Sequence, residues 1–266
     1  MNAAIFTKSA KALILASGFI AASSIMGYAQ DAPVALGAAA TVPLSGLYVG
    51  APTGSASLGG HTFDLSAGNL VSLSNGQSVS FSGSWANATG AYLLLNSANT
   101  YLWYDQTVVG NVTLTFSDGT TQSTDLMVGG NLREWRTGAG FTVNLIADPA
   151  AAQVWSGTAL DGSSAVIDML TISLTGSKTL TSVTVNDTNG WGALAISLAG
   201  LTISTPDPAP APAPDPNCIR PGNSCNTPAA VNSNSLKWQP STTATTPSAS
   251  ATTPSDNHTN SGHPSK

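Results

Sequence analysis

Residues 108–136 limit what the rest of the chain can become. Val112, Leu114 and Phe116 alternate with Asn111, Thr113, Thr115 and Ser117. A period of two puts the apolar set on one face and the hydroxyls on the other, the pattern of a half-buried strand. Asp118-Gly119 follows, and a second alternating run returns over 120–128. Asp-Gly between two such runs signals a hairpin, with positive φ expected at both turn positions. The next loop carries Arg133, Glu134, Trp135 and Arg136.

The same punctuation recurs along the chain. From Thr41 to Ser204, short apolar runs are separated by Gly, Asn, Asp and Ser. Strands are predicted at 42–49, 61–66, 77–82, 91–96, 108–117, 120–128, 141–146, 153–157, 166–175, 180–186 and 194–203. No segment holds a convincing helical period. Many short strands between turn signals make an all-β sandwich or barrel, and the region 41–205 is long enough for one core. In the last strand Leu194, Ile196 and Leu198 carry the apolar set, which then changes phase to Leu201 and Ile203 after Ala199-Gly200. A one-residue phase change at a glycine predicts a β-bulge there.

The flanks read differently. Residues 1–29 have the form of a secretory signal, with Lys8 and Lys11 ahead of an uncharged apolar run that ends at Gly27-Tyr28-Ala29. Cleavage is expected after Ala29. A membrane anchor is the competing reading, and the short apolar core with its cleavage motif argues against it. The protein is therefore expected outside the cell, secreted or at the cell surface, with no membrane span after cleavage. Residues 30–40 read as a leader of small residues. Beyond 205 the composition breaks into PDPAPAPAPDP, a polyproline-type spacer, and then into Ser, Thr, Asn and Pro. Such a segment buries too little to offset its ordering entropy, so 206–266 is expected to be a disordered tail whose composition suits O-glycosylation. Cys218 and Cys225 both lie in it, and in an exported protein their spacing points to a disulfide loop rather than a metal site.

Charge narrows the function classes. Only 8% of residues are charged and the net charge is -5. Between Gln30 and Pro206 the Lys and Arg residues are Arg133, Arg136 and Lys178, too few to track a nucleic-acid backbone. Catalysis has little to stand on. His61 is the one histidine of the strand-rich region, no G-x-S-x-G elbow is present, and Glu134 is the chain's one Glu. Asp187, Asn189 and Asp161 offer loop oxygens for a structural Ca²⁺, but without EF-hand spacing. No catalytic set, metal cluster or cofactor is assigned.

Aromatic residues are the better lead. The strand-rich region has Trp85, Trp103, Trp135, Trp155 and Trp191. An indole packs on the C–H face of a sugar while Asp, Asn and Arg bond its hydroxyls. Trp191 and Trp85 sit in Gly-rich loops, and Tyr101 and Trp103 share one side of YLWYD. Trp135 and Trp155, flanked by strand residues, read as plugs at the ends of the sandwich. The candidate carbohydrate-binding residues are Trp191, Trp85, Trp103, Tyr101, Arg133, Trp135 and Arg136.

The order GHTFDLS, AYLLLNSA, GNVTLTFSDGTTQSTDLMVGGNLREW, AQVWSG, VIDMLTISL, LTSVTVND and LAISLAGLTI resembles the galactose-binding-like jelly-roll modules of secreted bacterial proteins. The resemblance covers about residues 42–203, with Phe116 standing where such modules often carry Tyr. It implies an eight- or nine-stranded sandwich that binds carbohydrate at loops on one end, and with the strands predicted above the expected fold is an all-β jelly-roll β-sandwich of about 8–11 strands. It brings no catalytic residues. The expected function is a secreted, non-catalytic carbohydrate-binding or cell-surface adhesion module with a glycan or cell-surface polysaccharide as partner. A structural matrix or envelope protein and a secreted hydrolase using a Ser or Asp site, with His61 beside it, are the alternatives.

Overall fold

The computed structural model describes residues 29–190 and 193–207. The predicted signal, Trp191, and the tail from 208 with Cys218 and Cys225 lie outside the described residues. Among those described, no helix is long and apolar enough to cross a membrane.

The strands are β1 (Gln30–Val34), β2 (Val42–Pro43), β3 (Tyr48–Val49), β4 (Gly54–Leu58), β5 (His61–Leu65), β6 (Asn69–Leu73), β7 (Ser78–Trp85), β8 (Gly90–Ala98), β9 (Val108–Phe116), β10 (Thr121–Met127), β11 (Arg136–Thr137), β12 (Ala151–Ala159), β13 (Ser164–Ser173), β14 (Leu180–Asp187) and β15 (Ala195–Thr205). Except in the β9–β10 and β12–β13 hairpins, successive long strands cross between two layers. The order β6-β15-β8-β13 builds one layer and β10-β9-β14-β7 the other, which is the jelly roll. β12 extends the first layer, and the short β1, β2, β3 and β11 complete a nine-stranded sheet facing the four-stranded one. These small edge pieces and the separate β4–β5 hairpin raise the strand number above the expected range.

Alternation sets what faces inward. Val112 and Leu114 of β9, Val183 and Val185 of β14 and Phe81 of β7 meet Leu93 and Leu95 of β8, Leu170 and Ile172 of β13, and Leu201 and Ile203 of β15. All are buried. On the outer side of the four-stranded sheet, register puts Ser123, Thr113, Thr184 and Ser80 in one row and Thr121, Thr115, Ser182 and Ser82 in the next. The hydroxyls there bond sideways, with Thr184 Oγ1 donating to Ser80 Oγ at 3.0 Å. Ser80 and Ser182 lie 3.0 Å apart.

The nine-stranded sheet has a second core on its outer side. Leu94, Ile167 and Met169 pack there against Leu44, Tyr48, Leu58, Phe63 and Leu65 from the N-terminal quarter. The cover is fastened by polar bonds as well. The Asp31 carboxylate on β1 faces His61 Nδ1 at 3.0 Å, accepts from Thr62 N–H at 2.8 Å, and accepts from the Ser204 hydroxyl of β15 at 2.7 Å. Gly200 makes room for the cover: a Cβ at that position would lie 3.0 Å from Phe63 and 3.0 Å from Leu94. The register of β15 against β8 shifts between Leu198 and Gly200, as the phase change predicted.

Four expectations need correction. Residues 30–34, read as a leader, form β1, which pairs with β15 from Gln30↔Thr205 to Val34↔Leu201. The predicted strand 42–49 is broken by a 3-10 turn at Leu44–Gly46, which turns Leu44 into the second core. The predicted strand 141–146 is a loop: Val143 is buried, but Phe141 and Leu145 stay exposed, so no apolar face forms. The Asp118-Gly119 turn has positive φ at Gly119 (81°) and not at Asp118. Gly119 N–H donates to Phe116 O and Phe116 N–H to Thr120 O, which is a type I turn followed by a glycine bulge. Asp161-Gly162 builds the same turn between β12 and β13, with Gly162 at φ 83°.

Candidate functional site

β8 runs from Gly90 to Ala98, so the residues before and after it lie at opposite ends of the sandwich. The end beyond Ala98 gathers the loops 99–107 and 128–150 and the tip of the β12–β13 hairpin. A short 3-10 turn, Leu102–Tyr104, follows β8 and sends Tyr104 into the core. Trp103 turns outward, while Tyr101 stays half-buried against the core. Tyr101 and Trp103 stack with ring centroids 4.5 Å apart and planes 25° apart. Phe141 lies 6.2 Å from Tyr101. The two loops are stitched together by Leu102 N–H to Phe141 O at 3.1 Å and by the Tyr101↔Thr142 bridge. Trp103 is 72% exposed, Leu102 and Phe141 56%, and Leu145 67%. Single exposed apolar residues are ordinary, and what sets this end apart is that the exposed Trp103 and Phe141 both lie against the Tyr101 ring.

Phe141 also lines an open depression of about 520 Å³ with Arg136, Thr137, Asp161, Ser163 and Ser164. Arg136 Nη1 donates to Asp161 Oδ2 at 2.5 Å. Asp161 Oδ1 accepts from both the N–H and the hydroxyl of Ser163. The Ser163 bonds, with Arg136 beside them, hold this carboxyl down to about 2. The depression thus sets the Phe141 ring beside a paired guanidinium and a row of hydroxyls.

The other sequence candidates are dispersed. Arg133 is buried under the 128–150 loop, its Nε and Nη2 bonding both oxygens of Asp168 at 2.7 Å. Its remaining donors reach Asn144 O and Gln153 Oε1, and Asn96 completes Asp168. This guanidinium holds the loop in place and is not offered to a ligand. Glu134 beside it is buried too. Burial raises its carboxyl above the usual range, opposed by the Thr100 N–H donating to Oε2 at 2.8 Å. Trp135 belongs to the second core, where its ring meets the Tyr48 edge at 5.2 Å, and Trp155 meets Tyr48 at 5.5 Å. Trp85 lies at the opposite end from Trp103. It is half-buried, folded over Gly83, and lines a depression of about 430 Å³ with Gln30, Asn87 and Thr205. The sequence reading missed Phe141 and Leu145; their alternation with Val143 imitates a strand.

His61 has an Asp partner but not the arrangement of a hydrolase. Its ring stacks on Tyr92 at 3.4 Å, and the nearby Ser204 hydroxyl bonds Asp31 rather than the imidazole. For calcium, Asp187 closes β14 in a buried position, and burial raises its carboxyl. No group of three metal-ligating side chains occurs among the described residues.

Fold and site together define a jelly-roll β-sandwich with an aromatic loop end. No family model matches the chain, and neither a curated protein nor a solved structure matches it.

Proposed function

We propose that the protein is a secreted, non-catalytic carbohydrate-binding or cell-surface adhesion module of the galactose-binding-like kind, and that a glycan docks at the Tyr101–Trp103–Phe141 end. The observation that carries this reading is the exposed Trp103, backed by the Tyr101 ring at 4.5 Å. Tyr101 braces one face of the indole and leaves the other for the C–H face of a pyranose. Arg136, Thr137 and Ser163 lie beyond Phe141, where the hydroxyls of the same sugar chain would reach. The address at the cell surface or beyond follows from the sequence of residues 1–29.

Retention by polysaccharides tests it, using the intact protein in affinity gels. Trp103→Ala is expected to lose retention by about tenfold or more, the scale of a central aromatic anchor. Trp85→Ala, at the far end, is expected to retain it. Equal retention by wild type and Trp103→Ala, or loss confined to Trp85→Ala, refutes this placement. The thermal midpoint of Trp103→Ala should stay near that of the wild type, because the indole is exposed.

A further inference from the structure

The ionic groups of the strand-rich body are lopsided. Residues 29–207 hold eleven carboxyl groups against three Lys or Arg side chains. All three cations have carboxylate partners: Arg133 with Asp168, Arg136 with Asp161, and Lys178 with Asp118. His61 is held by Asp31. The chain's other five Lys and Arg residues fall outside this range.

The ring end shares this imbalance. Asp105 is exposed two residues beyond Trp103, where Gln106 Nε2 is 3.4 Å from its Oδ1. On the other side of Phe141 the nearest cation is Arg136, and Asp161 occupies it. Asp161 is also held through its other oxygen by the N–H and hydroxyl of Ser163, which orient it toward Arg136. An anionic sugar reaching Arg136 would have to displace a carboxylate that the hairpin turn itself holds in place. One approaching Trp103 would meet Asp105. A neutral sugar meets neither obstacle, because hydroxyls can accept from the remaining Arg136 N–H groups and share bonds with Thr137, Ser163 and Ser164 while Asp161 stays paired.

We infer that the ring end selects uncharged pyranose polymers and rejects those bearing uronate or sulfate groups. This rests on the glycan-binding reading of the same site. The Arg136–Asp161 pair is then a specificity device: it supplies directed donors while cancelling the charge that would attract an anion.

The full chain should be run through affinity gels holding neutral glucan, xylan, mannan or galactan. Each polymer is paired with its own carboxymethylated derivative. At least one neutral polymer is expected to retard the protein, and its derivative to bind about tenfold more weakly at low salt, as like-charge juxtaposition predicts. The gap should narrow as salt is added, since screening acts over about 10 Å at 0.1 M. Asp161→Asn, which leaves Arg136 without its counter-charge, should strengthen binding to the carboxymethylated polymer relative to the neutral one. Equal or tighter binding of the charged derivative at low salt, with Trp103→Ala still defective, overturns this inference and leaves the glycan reading standing. Retention by no polymer removes both.

Discussion

The two sheets of the sandwich bury their inner faces in the same way and treat their outer faces oppositely. The four-stranded sheet turns rows of Ser, Thr and Asn to water, and these satisfy one another through lateral bonds such as Asn186 to Asn111 at 2.8 Å. The nine-stranded sheet turns Leu94, Ile167 and Met169 outward and must be covered. A jelly roll therefore does not dictate one wet face or two; the side-chain pattern of each strand does. Where the pattern alternates, the sheet is finished by solvent. Where apolar residues run consecutively, as in Leu93-Leu94-Leu95, the chain has to supply a third layer, and here residues 44–65 supply it.

Phe63→Ala would test this contrast most severely. Phe63 is fully buried against the sheet, and the loss should be about 3–5 kcal/mol in denaturant unfolding. A loss near that of an exposed residue would mean the cover is not part of the cooperative unit. Asp31→Asn comes next, at about 1.5–3 kcal/mol, because one ionised carboxylate serves three donors between cover and sheet. Burial works to raise the Asp31 carboxyl, but bonds from His61, Ser204 and Thr62 N–H outweigh it and hold it below its ordinary 3.8. A depressed carboxyl stabilises above that ordinary value, and its contribution disappears as pH falls through the folded one. Unfolding midpoints taken from pH 3.8 down should therefore drop in the wild type and drop less in Asp31→Asn. Glu134→Gln probes the opposite sign. Its carboxyl is raised, so wild-type stability should decline as pH climbs past 4.5, and the variant should flatten that decline. Thr184→Ala on the bare sheet should change stability least, within about 0.5 kcal/mol. A larger cost there would show that the hydroxyl rows act as a network rather than as a solvated surface.

Legibility in the sequence followed the same division. The strands of the four-stranded sheet could be read with their faces, since alternation survives only where one side is wet. β15 could be oriented through Leu194, Ile196 and Leu198 and then Leu201 and Ile203, which all face the inner core, whereas β8 could be found but not oriented: with both sides buried, Leu94 looks like Leu93. The phase change at Gly200 points to a bulge, and nothing in the pattern names the Phe63 ring that packs over it. β4 and β6 went unread because GSASL and NLVSL are too short and too weakly patterned to stand apart from their turns. At the site, the pairing of Tyr101 with Trp103 was visible from their spacing. The separation of Arg133 from Arg136 was not. One lies under a loop and the other at its rim, three residues on, and the difference comes from Asp168 and Asp161 on β13 and the hairpin before it.

The antiparallel match of Gln30 with Thr205 carries a practical corollary. Both chain ends of the sandwich leave from a single pole, and Trp103 occupies the other. A tether fused at either place, whether a bead, a chip or a second protein, would hold the molecule by its base like a brush by its handle, with the indole pointing into free solution.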